Sequence, residues 1–208
     1  MKKLMVLLFI AASAGLFAQG APKSVIFSEF AEQLGLPGEY TSDVETMVGG
    51  DGGMVMKMKL YISKGGMRSE TELPGGLGNM TTLVQVQDEG IKVYMLNTAQ
   101  KMYSLLPGGG KKSDFAPEQY QIKELGQEEI QGQLCHKKAI IGPDKNETII
   151  WQNSANQALV KCEVMEKGNL VTMLFKNFQP GSVDPQLLEI PSDYKQGNIM
   201  QGFMNLGQ

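Results

Sequence analysis

The alternation of apolar and polar residues between positions 40 and 178 constrains the fold of this chain more than any other feature of its sequence. It is clearest in Gly53–Ser63, which reads GMVMKMKLYIS and has an apolar residue at every second position. Because successive side chains of a β-strand point to opposite faces of a sheet, this pattern predicts a strand with one apolar and one largely polar face. Similar short segments recur along the chain, separated by turn-forming Gly, Pro, Asn and Asp residues.

These segments predict a mainly β fold of about ten or eleven antiparallel strands in a sheet or barrel, with no internal domain boundary. The predicted strands are Tyr40–Val48, Gly53–Ser63, Met67–Leu73, Thr81–Asp88, Ile91–Leu96, Lys101–Leu106, Tyr120–Leu125, Leu134–Ile141, Glu147–Gln152, Leu159–Lys167 and Leu170–Phe178. The glycine-rich stretch Pro107–Ser113 lacks the spacing of a phosphate-binding loop and is predicted to be a solvated loop.

One segment, Ser24–Gly35, has helical periodicity. Its apolar residues, which include Phe27 and Phe30, recur on one side, and Gly35 followed by Pro37 predicts the helix end. We therefore expect a single N-terminal helix that covers part of an apolar sheet face.

The N-terminus has the three parts of a secretory signal peptide. Lys2 and Lys3 precede the apolar run Leu4–Ile10, and small residues lead to Ala18. The run is shorter than the roughly 20 residues of a membrane-spanning helix. The predicted organisation is a signal peptide over 1–18, a helix and linker over 19–39, a β domain over 40–195 and a tail over 196–208. The mature chain is expected to be periplasmic or secreted in a bacterium.

Composition and motifs argue against catalysis and against nucleic acid as a partner. The net charge is −3, becomes −5 without Lys2 and Lys3, and includes no basic block. The only histidine is His136, and no zinc-binding Cys pair, dinucleotide-binding motif or nucleophile elbow is present. We expect no enzymatic activity, no metal and no cofactor.

The methionine row of the longest strand has two interpretations, a soft-metal site and an apolar lining. Met54, Met56 and Met58 share a face with Leu60 and Ile62, so their sulfur atoms stand in a row instead of converging on one ion. Methionine is flexible and fills irregular apolar space, which favours a core or cavity lining. The candidate ligand-cavity residues are Phe27, Phe30, Met54, Met56, Met58, Leu60, Ile62, Val84, Val86, Val93 and Met95.

The two cysteines are predicted to be free thiols, or to be paired between chains, and not to form a disulfide within the chain. Turns near Gly142–Asn146 and Ser154–Gln157 place Cys135 opposite about Asn153 and Cys162 opposite about Ile149, on strands separated by a third. Two strand spacings are about 9.6 Å, more than the roughly 7 Å between Cα atoms that a disulfide tolerates.

Five stretches, in this order, resemble an exported bacterial family labelled domain of unknown function 4412. They are KLYISKGGMRSE, VYMLNTAQKMYSLLP, ELGQEEIQGQLCHKKAI, ETIIWQNSANQALVKCEV and VDPQLLEIPSDYKQ. The resemblance implies a fold similar to the LolA/LolB periplasmic lipoprotein carriers, an open antiparallel half-barrel with one apolar face covered by helix and loops.

Three functions remain open. The chain is expected to be an envelope protein that binds a hydrophobic or lipid-like ligand in an apolar concavity, by analogy of fold. The alternative is a non-catalytic structural or interaction protein that docks to an envelope protein partner. A metal-binding protein or hydrolase is the weakest of the three. The tail Gly197–Gln208 is interpreted as a plugging helix, a partner contact or a disordered end.

The signal peptide leads to a direct test. We expect the purified mature protein to begin at Gln19, within a few residues, because cleavage follows the small residues after the apolar run. Mass analysis of the N-terminus and fractionation of the cell envelope check this expectation. An intact Met1 on the mature protein would contradict it.

Overall fold

The computed structural model describes residues 31, 33–49, 54–72, 79–110, 117–143, 145–166 and 168–199, and these form one twelve-stranded sheet. The strands are β1 Tyr40–Val48, β2 Met54–Ser63, β3 Gly66–Glu72, β4 Asn79–Gln87, β5 Gly90–Asn97, β6 Met102–Gly110, β7 Gln121–Ile130, β8 Gln133–Ile141, β9 Glu147–Asn153, β10 Leu159–Glu166, β11 Asn169–Pro180 and β12 Lys195–Gln196. Two 3₁₀ turns span Pro117–Gln119 and Pro185–Leu188.

The strand order across the sheet is β12-β6-β5-β4-β3-β2-β1-β11-β10-β9-β8-β7. It consists of two meanders, β1 to β6 and β7 to β11, in which each strand pairs with the next along the chain through a short connection. The antiparallel pairing of β1 with β11 joins the meanders, and β12 is the single parallel neighbour, on the edge of β6. The sheet is open, since β12 and β7 stand at opposite ends of the order.

The mainly β prediction is confirmed, and the strand count is twelve instead of ten or eleven. The missed strand, β12, is only two residues long and has no alternation to reveal it. The predicted loop Pro107–Ser113 is wrong as far as Gly110, because β6 continues to pair with β5 up to that residue. The predicted end of β7 at Leu125 is also wrong. Gly126, with φ of 96°, is accommodated in a bulge, and the strand runs on to Ile130.

The helix predicted over Ser24–Gly35 lies mostly outside the described residues and stays a prediction. Its end is described: Ala31, Gln33 and Leu34 have helical backbone conformation, and Gly35 has a φ of 72°. The Leu36 N–H donates to the Ala31 carbonyl at 2.8 Å. A left-handed glycine followed by this hydrogen bond is the Schellman ending of a helix.

The two faces of the sheet are covered by different ends of the chain. On one face, Ala31, Leu34 and Leu36 pack with Ile140 and Ile150 in a buried cluster.

On the other face, Leu188 packs with Leu83 and Leu96, and β3 and β4 hold its segment by hydrogen bonds. Arg68 Nη1 donates to the Leu187 carbonyl at 3.1 Å, and Gln85 Nε2 donates to the Leu188 carbonyl at 2.7 Å.

The cysteines lie on β8 and β10 with β9 between them, in the predicted strand order. Cys135 is opposite Asn153, as predicted, and Cys162 is opposite Ile150, one residue from the prediction. Following the register across β9 places the two side chains on opposite faces of the sheet. Burial raises the pKa of both thiols, that of Cys162 to about 12.

Thiol alkylation tests this geometry. We expect folded protein to react slowly at pH 8, because both thiols are buried and mostly protonated. Denatured, non-reduced monomer should gain two labels per chain by mass, as many as a reduced control sample. A denatured monomer that gains no label without reductant would contradict the strand order around β9.

Candidate ligand-binding face

Methionine side chains gather on one face of the sheet. Nine strand methionines have described side chains, and the strand registers place seven of them on the face that carries Met58. The other two, Met47 and Met165, lie on the opposite face. We call the first face the methionine face and the second the outer face. The seven are Met56, Met58, Met67, Met80, Met95, Met102 and Met173.

Eight of the eleven predicted cavity residues meet on the methionine face. Most are buried, and Met56 and Val86 are half-buried. The eight are Met56, Met58, Leu60, Ile62, Val84, Val86, Val93 and Met95. Phe27 and Phe30 lie outside the described residues, as does the side chain of Met54. That these residues line a cavity for a ligand stays a prediction.

Strand β11 contributes residues to this face that the sequence did not identify as part of it. Met173, Phe175 and Phe178 pack both on the cluster of the first meander and on the cluster of the second. Phe178 stacks on Tyr40 with ring centroids 4.6 Å apart, and burial raises the pKa of the Tyr40 hydroxyl. The alternation within β11 indicated its faces. It did not indicate that β1, some 130 residues earlier, is the partner.

The C-terminal segment crosses from the outer face to the methionine face around the edge of β6. The Lys195 N–H donates to the Lys101 carbonyl at 2.9 Å, and the Gly197 N–H donates to the Tyr103 carbonyl at 2.8 Å. Ser104 Oγ then donates to the Gly197 carbonyl and accepts from the Ile199 N–H at 3.0 Å.

Ile199 is fully buried beside Ser104, a residue of the methionine face. The start of the predicted tail therefore packs on the sheet, which favours a covering role for Gly197–Ile199. Residues 200–208 lie outside the described part of the chain, and the alternatives for them stay open.

The outer face is charged, and several of its charged side chains form ion pairs with one another. An open groove of about 610 Å³ crosses it between β11 and β4. Lys176 Nζ lies 2.6 Å from Glu45 Oε2, and this hydrogen bond lowers the pKa of Glu45. The charged residues of the groove are Asp43, Glu45, Lys57, Lys59, Glu70, Glu72 and Lys176. Mixed charges of this kind suit a solvated surface more than a site for one class of ligand.

A second outer-face cluster surrounds the single tryptophan. The ammonium groups of Lys137 and Lys161 lie 4.9 and 4.3 Å from the centroid of the Trp151 ring. Trp151 Nε1 donates to Glu128 Oε2 at 3.0 Å, and Lys137 Nζ donates to the same oxygen at 2.9 Å. Together these two hydrogen bonds hold the pKa of the Glu128 carboxyl below its usual range. The lysine stems and cation–π contacts bury the indole, which is a stabilising arrangement.

Metal-binding groups do not converge in the described part of the chain. Within those residues no three His, Cys, Asp or Glu side chains are placed to hold a metal ion. His136 lies on β8 between Gln127 of β7 and Gln152 of β9. Among the helices of the described residues, none is long and apolar enough to cross a membrane.

The sequence model of the family described as Domain of unknown function (DUF4412) matches residues 45–154, so the expected resemblance is confirmed. No curated protein matches the chain significantly. An uncharacterized conserved protein from Thermus thermophilus shares the fold, with a TM-score of 0.54, 13% identity, and coverage of 76% of this chain and 89% of that chain.

Two further crystal structures are similar at lower scores. A LolA superfamily protein from Nitrosomonas europaea has a TM-score of 0.37 and 11% identity, over 73% of this chain and 90% of that one. The lipoprotein LppX from Mycobacterium tuberculosis has a TM-score of 0.39 and 13% identity, over 78% of this chain and 97% of that one.

Replacing Met54, Met56 and Met58 together with leucine separates the two interpretations of the methionine row. Leucine keeps volume and apolarity nearly constant, so the variant should fold and melt close to the wild type. A Cu(I) competition titration should give the same weak or absent binding for both proteins, because sulfur atoms in a row along one strand do not converge. A large drop from a measurable Cu(I) affinity would establish the metal site instead.

Proposed function

The chain belongs to the family of domain of unknown function 4412, and we propose that it binds a hydrophobic, lipid-like ligand on its methionine face in the bacterial envelope. The observation that carries this proposal is the placement of seven of the nine described strand methionines on one face. Methionine has three rotatable bonds and a polarisable sulfur, so a surface rich in it adapts to apolar partners of varied shape.

The contrast between the two halves of this face supports the proposal. Among the described residues, the cluster that contains Ala31, Leu34 and Leu36 has buried Ala, Leu, Ile and Cys side chains and no buried methionine. The cluster of the first meander includes buried Met58 and Met67. Met80 and Met95 are buried on the same face of the neighbouring strands β4 and β5. Branched side chains specify one packing, whereas methionine leaves the packing adjustable.

A second candidate function, docking to an envelope protein partner, is favoured by exposed apolar residues on the outer face. Val55 and Met165 are 54% and 58% exposed, and Leu170 stands opposite Met165. All three lie near the end of the sheet where β1 ends and β2 begins. A partner at this position would leave the methionine face unaffected, so substitutions on the two faces distinguish the two functions.

Binding of N-phenyl-1-naphthylamine, an uncharged fluorescent probe, tests the proposal on wild type, Met56→Lys and Val55→Lys. These adjacent residues point to opposite faces, and Met56 is half-buried while Val55 is exposed. We expect wild type and Val55→Lys to bind the probe alike. Met56→Lys should fold, since lysine can extend toward an opening, and should bind about tenfold more weakly because the apolar contact is lost.

Two results would contradict the proposal. If Met56→Lys fails to fold while Val55→Lys folds, the methionine face is a closed core, because an enclosed charge without a partner is strongly destabilising. If both variants bind the probe as wild type does, the ligand lies elsewhere.

Native mass spectrometry of protein purified from its own envelope should also show a lipid-sized adduct that Met56→Lys retains less.

A further inference from the structure

One buried hydroxyl on the methionine face has no hydrogen-bond partner. Thr46 is 1% exposed, and its Oγ1 atom is one of two buried side-chain polar atoms of the described residues that lack a partner. The other is in Ser154, which lies in the turn after β9. Thr46 lies within β1, directly opposite Met56 of β2 and Met173 of β11.

The isolation of this hydroxyl is specific to its position. Ser42, on the same face of the same strand, is also buried, and its Oγ donates to the Lys176 carbonyl at 2.9 Å. A hydroxyl buried without a partner is destabilising relative to a valine of the same shape. Within the described part of the chain, the packing therefore tolerates at Thr46 a polar group that it does not pair.

The surroundings of Thr46 carry no charge in the described part of the chain. Along β1 its neighbours on this face are Val44 and Val48, and beyond Met173 the next strand contributes Cys162. A carboxylate or ammonium group placed here would be buried without a counter-charge, which is strongly unfavourable. A ligand atom that hydrogen-bonds to Thr46 Oγ1 would therefore have to belong to an uncharged group.

We propose that Thr46 donates a hydrogen bond to the ester carbonyl oxygen of an acyl chain that lies on the methionine face. This inference rests on the proposed function and narrows its ligand to an uncharged acyl ester. The methionines on either side of Thr46 hold the chain, and the hydroxyl sets the position of the ester along it. An ionised fatty acid is disfavoured at the same place, because its carboxylate would have no cation beside it.

The test compares wild type with Thr46→Val and Thr46→Ser, by displacement of N-phenyl-1-naphthylamine with methyl palmitate. Valine keeps the shape of threonine and removes the hydroxyl, whereas serine keeps the hydroxyl. We expect Thr46→Val to bind methyl palmitate about tenfold more weakly, which corresponds to about 1.4 kcal/mol, and Thr46→Ser to bind it as wild type does. The naphthylamine probe has no ester carbonyl that could accept from Thr46, so its affinity should fall much less in Thr46→Val than the affinity for methyl palmitate does.

Two further readouts complete the test. Ligand-free Thr46→Val should melt at or above the wild-type temperature, because an unpartnered buried hydroxyl has been removed. Palmitate at pH 8 should displace the probe more weakly than methyl palmitate. A structural hydroxyl would instead lower the melting temperature of Thr46→Val and leave methyl palmitate affinity unchanged.

The outcomes separate this inference from the function on which it rests. If wild type binds the naphthylamine probe and Thr46→Val binds methyl palmitate as tightly as wild type does, the role of Thr46 is overturned and the proposed function is not. Tighter binding of palmitate than of its methyl ester overturns the uncharged class of ligand. Failure of wild type to bind the naphthylamine probe overturns both the inference and the proposed function.

Discussion

The antiparallel pairing of β1 with β11 joins residues about 130 positions apart, and the rest of the sheet depends on it. Each meander forms from neighbours along the chain, but alone it would expose one apolar face to water. Once β1 and β11 pair, Val44 stands beside Phe175, and Phe178 stacks on Tyr40. On the outer face Asn177 Nδ2 donates to Asp43 Oδ2 at 2.7 Å. Closing so long a loop is entropically unfavourable, so these contacts on both faces must offset that loss.

The two edges of the sheet are protected in different ways. The β6 edge is covered by β12 and by the hydrogen bonds that Ser104 makes to the C-terminal segment. The β7 edge is covered by no other strand of the described residues, but it carries a bulge at Gly126 and several charged side chains. Bulges and charges on an edge strand discourage pairing with another chain.

The methionine face divides into a specified half and an adaptable half. Beneath residues 31–36 the buried side chains are mostly branched, and one arrangement satisfies them. On β1 to β6, methionines replace many of these, and Thr46 of β1 lies among them, opposite Met56 of β2. A closed core gains nothing from an unpartnered hydroxyl, whereas a ligand surface gains a means of positioning its ligand. Both features of this half therefore support the same proposed role.

The sequence alone determined eleven of the twelve strands. The alternation of apolar and polar residues and the turn-forming residues that predict a strand lie within a few positions of one another. The sequence also determined which side chains share a face within a strand, so eight of the predicted cavity residues meet on the methionine face. Only the tertiary structure decided which strands are neighbours across the junction, and hence that Met173 and Phe175 belong to that face. The isolation of Thr46 is likewise a tertiary property. A hydroxyl-bearing residue in a strand has the same local sequence pattern whether its hydroxyl donates to a carbonyl, as that of Ser42 does, or has no hydrogen-bond partner, as that of Thr46 has none among the described residues.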